Sequence, residues 1–455
     1  MSTHDVINPA TEERVDAVDL LGVDETDEAI AAATVAQRTW AALAPADRGR
    51  LMRRFADVVD GHIDELARLE IANSGHTLGN ATGEASNVRD VLHYYSAAPE
   101  RLLGQQIPVA GGLDVTFKEP LGVVGIIVPW NFPMPIAGWG LAPALAAGNA
   151  VVLKPAELTP LTAIRLGELA REAGIPEHVL TILPGKGSVV GERFVTHPDV
   201  AKVCFTGSTA VGQRIMRGAA DRIKRITLEL GGKSANIVFE DADIAAAAAA
   251  APMAAFDNAG QDCCARSRIL VQRSVLDSFM ERFETAVKDI VVDDPALGGT
   301  QMGPLVSSGQ REAVRGFVED AHEDVDIAFR GSAPQGAGWW YPPTVVLPTG
   351  TQDRIWREEI FGPVVAVLPF DDEEDAIAKA NDTDYGLSGS IFTQDVGRAI
   401  RVSRAVEAGN LSVNSHASVR YSTPFGGFKQ SGLGRELGPD ALDSFTEIKN
   451  VFIAT

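Results

Sequence analysis

VVGIIVPW (Val123–Trp130) is a short apolar run, rich in β-branched residues and closed by a proline. Such a run reads as a strand buried on both faces. AVVLKPA (Ala150–Ala156) reads the same way, and between the two lies an Ala/Leu-rich helical pattern from Met134 to Gly148. The unit then repeats along the chain. LTAIRLGELAREAG (Leu161–Gly174) is an amphipathic helix with a glycine stop, VLTILPG (Val179–Gly185) a strand, VAKVCFTGS (Val200–Ser208) a strand running into a glycine loop, and VGQRIMRGAADRI (Val211–Ile223) a helix. Successive strand–helix–strand units predict an α/β chain with a doubly wound, mainly parallel sheet and helices on both faces.

The pattern restarts after Glu229-Leu230-Gly231-Gly232. SANIVF (Ser234–Phe239) reads as a strand and DADIAAAAAAAPMAAF (Asp241–Phe256) as a helix in which Pro252 should kink or break the run. A second α/β domain is therefore expected from about residue 232. QQIPVAGGLDVTFKEP (Gln105–Pro120) differs, being polar, turn-bearing and alternating like a hairpin away from the main sheet. DSFTEIKNVFIAT (Asp443–Thr455) alternates as an edge strand does. Both segments fit pairing with another subunit, with simple closure of the same chain as the alternative.

The 455 residues exceed what one simple core needs, and two or three domains are expected. A hydrophobic share of 45% is that of an ordinary globular protein. The net charge of −21 excludes a basic face for nucleic acid or an anionic membrane. No apolar run reaches the ~20 residues of a spanning helix, and the start MSTHDVINPATEE lacks a signal-peptide pattern. Three cysteines are too few for a disulfide framework, so the reducing cytoplasm is the expected compartment.

Two of those cysteines are adjacent in FDNAGQDCC (Phe256–Cys264). Cys204, among strand residues, reads as a core thiol. Asn258, Gly260 and Gln261 are turn residues with little core value, so the pair after them reads as chemical. A cysteine following such a turn can open a helix, whose N–H groups favour the thiolate and can hold an oxyanion. No His or further Cys lies at zinc-ligand spacing, and no metal is expected. On spacing alone a thiol hydrolase stays open.

Seven motifs, met in order, resemble the NAD(P)-dependent aldehyde dehydrogenase family. They are PWNFP (Pro129–Pro133), KPAE (Lys154–Glu157), FTGSTAVG (Phe205–Gly212), LELGGKSANI (Leu228–Ile237), NAGQDC (Asn258–Cys263), EEIFGPV (Glu358–Val364) and PFGGFKQSGLGRELG (Pro424–Gly438). INPATEE (Ile7–Glu13) fits as well. The resemblance implies a Rossmann-like NAD-binding domain (1–101 and 120–231), a catalytic α/β domain (232–428) and a small β oligomerisation flap (102–119 and 429–455). It implies a homodimer or homotetramer acting on a small-molecule aldehyde.

Residue by residue, the resemblance makes Cys263 the nucleophile, with Cys264 a packing neighbour. Asn131 and the Cys263 N–H would hold the oxyanion of the thiohemiacetal, and Glu229 would be the base that activates water to release a free acid. The family's coenzyme A-acylating branch dispenses with that base. FTGSTAVG departs from the G-x-G-x-x-G fingerprint; Gly207 and Ser208 would approach the pyrophosphate instead. Lys154 and Glu157 would bind the adenosine ribose, and a carboxylate there favours NAD over NADP. Glu359 and Phe361 would clamp the nicotinamide ribose, Gly187 and Ser188 would line the adenine pocket, and Pro129 and Trp130 would line the same side.

Phe132, Trp139 and Phe425 match the family's substrate tunnel. Asp257 stands where an aromatic is common, and His416 and Ala417 fall where the betaine aldehyde branch keeps another, so the aromatic cage for a quaternary ammonium is incomplete. Asp257 and Asp262 place negative groups there instead, which predicts an aldehyde bearing a cationic amine, such as 4-aminobutanal. General aliphatic or aromatic aldehydes are the alternative. A cofactor-free thiol hydrolase, with His416 as its base, and a catalytically silent scaffold are the readings from other classes.

Overall fold

The computed structural model describes residues 2–320 and 325–455. Residue 1 of the expected NAD-binding segment and residues 321–324 of the expected catalytic segment lie outside that description.

The run that opens the analysis forms strand Val123–Ile127, with every residue buried. It is the middle of a six-stranded sheet ordered Gly432–Leu433, Arg225–Glu229, Val200–Thr206, Val123–Ile127, Ala150–Lys154, Leu180–Ile182. The last five are mutually parallel and the first is antiparallel to its neighbour. Counted in chain order, the parallel strands stand fifth, fourth, first, second, third. The direction of winding therefore reverses between Val123–Ile127 and Val200–Thr206, and a crevice opens beyond their carboxyl ends, where α/β sheets bind ligands. Helix Pro133–Ala146 packs almost wholly buried on one face. Its Gly140 lies against Ile126, where a Cβ would meet the isoleucine side chain at 2.9 Å.

The second sheet has seven strands, ordered Val325–Arg330, Thr344–Pro348, Val364–Phe370, Arg268–Gln272, Ala235–Val238, Ser388–Phe392, Asn410–Val413. All are parallel except the edge strand Val325–Arg330. Helix Ile244–Phe256 covers it, and the alanines Ala247, Ala248, Ala251 and Ala255 allow the close approach the Ala tract predicts. Of the kink or break expected at Pro252, the break does not occur: the helix runs on to Phe256. Pro252 is buried in packing that holds the helical backbone on either side of it.

A three-stranded antiparallel sheet stands apart, with Gly112–Pro120 between Gln106–Ile107 and Thr446–Ala454. The C-terminal strand thus pairs with the hairpin of its own chain over nine residue pairs. Of the segment 429–455, only this last strand joins the hairpin; Gly432–Leu433 lies antiparallel on Leu228–Glu229 in the six-stranded sheet.

Candidate active site

The six-stranded sheet directs the carboxyl ends of its parallel strands toward one centre, and the seven-stranded sheet meets it with the loops that precede the amino ends of Ala235–Val238, Arg268–Gln272 and Val364–Phe370. Strand Arg225–Glu229 ends with Glu229 aimed into it, strand Val200–Thr206 gives way to Gly207 and Ser208, and Val123–Ile127 leads through Pro129 and Trp130 to Asn131. From the other sheet, helix Ile244–Phe256 delivers the cysteine loop. Three consecutive residues in that loop adopt left-handed backbone: Asn258 (φ 49°), Ala259 (φ 53°) and Gly260 (φ 69°). Gly260 is obligatory, since a Cβ there would lie 2.2 Å from the Gly362 carbonyl oxygen. Gly232 has a similar task, because a Cβ would stand 2.2 Å from the Cys263 carbonyl oxygen.

The loop is cross-tied to Asn131. The Asn131 Nδ2 amide donates to the Gln261 carbonyl (3.0 Å), and Asn258 Nδ2 donates to the Asn131 carbonyl (2.8 Å). One Nδ2 proton of Asn131 remains for another acceptor. Cys263 and Cys264 occupy a turn rather than the start of a helix. The helix-terminal activation expected for the thiol is therefore absent. A hydrogen bond with Cys264, burial and the charges of Asp262 and Glu359 instead push the Cys263 thiol well above its ordinary range. Cys264 is 5% exposed and packs in the core while touching the site. Cys204 is buried in its strand.

Glu229 is 2% exposed and neither carboxylate oxygen has a partner. Burial, with Glu436 adding to it, raises its pKa well above the carboxylate range. Two cavities meet at this carboxyl. One, of about 230 Å³, is lined by Pro129, Trp130, Asn131, Gly207, Ser208, Glu359 and Phe361, and sits at the winding reversal. The other, of about 370 Å³, is lined by Phe132, Trp139, Phe425, Asp257, Asp262 and others. Thr206, Glu229 and Cys263 border both.

In the first cavity Phe361, at φ 57°, sets its ring edge-on to Trp130 at 5.1 Å. Glu359 Oε1 accepts from the Gly232 N–H (2.9 Å), and burial lifts this carboxyl to about 7. A third hollow of about 200 Å³ contains Gly187 and Ser188 with Ile127, Phe205, Val211 and Arg214. Beside it Glu157 Oε1 accepts from the Gly187 N–H (3.2 Å). Lys154 Nζ donates to the Pro155 carbonyl (2.6 Å), and burial lowers its pKa to about 8.

In the second cavity Trp139 stacks edge-on with Phe425 at 5.3 Å and donates Nε1–H to Asn87 Oδ1 (2.8 Å). Asp257 accepts from Asn80 Nδ2 (2.6 Å). Asp262 accepts from the Cys264 N–H (2.8 Å), and burial raises its carboxyl. His416 is not among the residues that line this cavity. Arg266 holds the His416 carbonyl (3.1 Å), and Nδ1 meets Ser390 Oγ (2.8 Å). Burial, reinforced by Arg266, lowers this imidazole to about 4. It stands as neither a cation nor a base for Cys263. Sequence reading missed Glu84, Asn80, Asn87, Thr206, Val419 and Glu436, which stand among the remaining lining residues. For Glu436 the signal lay within a quoted motif, GRELG; for Glu84 and the two asparagines there was none.

A family model described as the aldehyde dehydrogenase family matches residues 1–451. An aldehyde dehydrogenase of Emericella nidulans is 42% identical over 453 residues, spanning 99% of this chain and 91% of that one. A peroxisomal aminoaldehyde dehydrogenase 2 of Pisum sativum is 42% identical over 460 residues, spanning 98% and 91%. The crystal structure of a betaine aldehyde dehydrogenase from Staphylococcus aureus in complex with NAD+ superposes with a TM-score of 0.96 at 38% identity, covering 99% of this chain and 91% of that one. With its α/β architecture and the match running nearly end to end, this chain belongs to the aldehyde dehydrogenase family, and it is an oxidoreductase acting on aldehydes.

Proposed function

We propose that the chain oxidises an aldehyde carrying a cationic amine to the free acid, with NAD preferred as acceptor. The observation that carries this reading is the lining of the larger cavity. Among the described residues it contains five carboxylic ones, Glu84, Glu229, Asp257, Asp262 and Glu436, three aromatic rings, and no Lys, Arg or His. A cation entering such a space meets carboxyl oxygens and ring faces together, and its charge favours the ionised forms that burial disfavours.

Cys263 releases its thiol proton to solvent, its thiolate Sγ bonds to the carbonyl carbon as the C=O π bond breaks, and the oxygen becomes an oxyanion facing the free Asn131 Nδ2–H and the Cys263 N–H. The dinucleotide, when bound in the smaller cavity, supplies the acceptor for the hydride that leaves this carbon. Glu229 then takes a proton from water, whose oxygen attacks the thioester carbon; the C–S bond breaks and the acid departs. The position of Glu229 and Cys263 on the boundary of both cavities supports this division of labour. Glu157, beside Lys154 and Gly187, would accept a ribose 2′-hydroxyl and repel a 2′-phosphate, which supports NAD over NADP. Three unpaired cysteines support a reducing compartment such as the cytoplasm.

The test is cofactor reduction with 4-aminobutanal, betaine aldehyde, hexanal and benzaldehyde, each with NAD and NADP. The amine should exceed an uncharged analogue of equal length by about tenfold or more in kcat/KM, the worth of one partly desolvated charge contact. Equal efficiency for the two would end the cationic reading and leave a general aldehyde dehydrogenase.

A further inference from the structure

In the tunnel wall lies a polar cluster that takes no part in the bond-making steps, although one member, Glu84, also borders the tunnel. Helix Ile63–Ser74 carries Glu70 and ends at Gly75 in the left-handed conformation (φ 81°), which turns the chain sharply and returns His76 toward that helix. Helix Leu78–Ser96 then supplies Glu84. One ligand-type atom from each of Glu70, His76 and Glu84 lies within 4.8 Å of the others. The three residues are 0%, 2% and 7% exposed. Oε2 of Glu70 and Oε2 of Glu84 are both buried without any hydrogen-bond partner. Unpaired buried carboxylate oxygens are rare and costly, and they call for a missing partner.

The bonds present leave that need unmet. His76 Nδ1 meets Glu84 Oε1 at 2.6 Å, so one imidazolium can balance one carboxylate. Glu70 has only a long contact from Asn73 Nδ2 (3.4 Å). Asp257 adds a further negative field at His76. Among the described residues no lysine or arginine pairs with any of the three. The His76 ring is held edge-on by Phe132 at 5.5 Å, so the imidazole is oriented before anything binds. Glu84 also borders the larger cavity, which gives an ion a path in.

We propose that Glu70, His76 and Glu84 bind one divalent first-row metal ion in the wall of the substrate tunnel. One imidazole nitrogen and two carboxylate oxygens suit Mn²⁺ or Zn²⁺. The three atoms already lie within 4.8 Å of one another, and each glutamate keeps a second oxygen without a partner. The ion would replace the proton that burial favours on Glu84, whose pKa rises to about 7. A second group within the same distance limit, Asp262, Cys263 and Cys264, surrounds the nucleophile and is softer, so Mn²⁺ is the discriminating probe.

The experiment titrates the chelator-treated full chain with MnCl₂ and follows free Mn²⁺ by electron paramagnetic resonance. One site per chain should fill at micromolar Mn²⁺. Spin-echo modulation of the bound ion should show one coupled ¹⁴N, a signature read on the wild-type protein and independent of any variant. Glu70→Gln and His76→Gln should each weaken binding at least tenfold, while Cys263→Ala binds as wild type. Absence of a site tighter than millimolar, a bound ion without ¹⁴N coupling, unchanged affinity in Glu70→Gln, or loss of binding in Cys263→Ala would each overturn the proposal.

Discussion

Glu229 and Cys263 share a physical situation: each is held in its neutral form by its surroundings and each must give up a proton to act. Burial and Glu436 raise Glu229; Cys264, burial and two carboxylates raise Cys263. A group whose pKa is raised is protonated over a wider range, so its basic form appears only as pH climbs through the raised value. The acid limb of the kcat/KM profile should therefore lie above the ordinary carboxylate range, with rate rising toward alkaline pH. The two groups separate in Glu229→Gln. That variant should keep a burst of one NADH per site, because attack and hydride loss need only the thiol. Steady turnover should fall by about 10²–10⁴, the usual worth of a general base. A burst lost together with turnover would assign Glu229 to the first step instead. Asn131→Ala should slow the burst itself by about 10²–10³, as removal of one oxyanion donor does. Stopped-flow absorbance measures both.

At the scale of elements, the cysteine loop is the least regular backbone in the site and the most constrained. Asn258, Ala259 and Gly260 all hold positive φ, and the Gly362 carbonyl closes the space beside Gly260. Gly260→Ala adds a left-handed alanine and a clash with backbone that cannot step aside. Destabilisation of about 2–4 kcal/mol is expected, with activity lost even where the fold survives. Denaturant unfolding followed by circular dichroism gives the first quantity and a coupled NADH assay the second. Wild-type stability in this variant would show that the loop can relax. The same loop marks how far sequence reasoning reaches. The strand–helix alternation was legible because buried parallel strands must be short apolar runs, and the cysteine loop was legible because turn residues have no core value. Its conformation was not: a tight turn after a helix looks alike in one dimension whether the thiol opens a helix or a simple turn. That the helix would continue through Pro252 was not legible either, since burial on a sheet outweighs the local cost of a proline. Glu84 sits 179 positions before Cys263 and joins the tunnel only through the fold, so no local pattern announces it.

At the scale of the molecule, the three-stranded sheet carries more apolar surface than one chain covers. Residues directly opposite in an antiparallel pair share a face, and the register sets Leu113 against Ile453, Val115 against Val451 and Phe117 against Lys449. One face therefore gathers Leu113, Val115, Phe117, Val451 and Ile453. Of these Leu113 is 40% exposed, and Phe117 and Ile453 are 50% exposed. The other face shows Ile448 and Phe452 at 66% and 50%. A small sheet with apolar side chains on both faces is the signature of a surface buried by a partner. A second copy of the chain is the expected partner, since Thr446–Ala454 is the edge strand of this sheet and offers an unpaired backbone edge beside these side chains. The expected outcome is a dimer or tetramer in light scattering of the wild-type chain. Phe117→Glu with Ile453→Glu should convert it to a smaller species in light scattering while leaving the far-ultraviolet spectrum unchanged, because both positions are solvent-facing within the chain. Each charge would have to be buried against apolar neighbours in the assembly, at a cost of several kcal/mol per copy. A wild-type monomer at micromolar concentration, or an assembly indifferent to both charges, would remove the sheet from the interface.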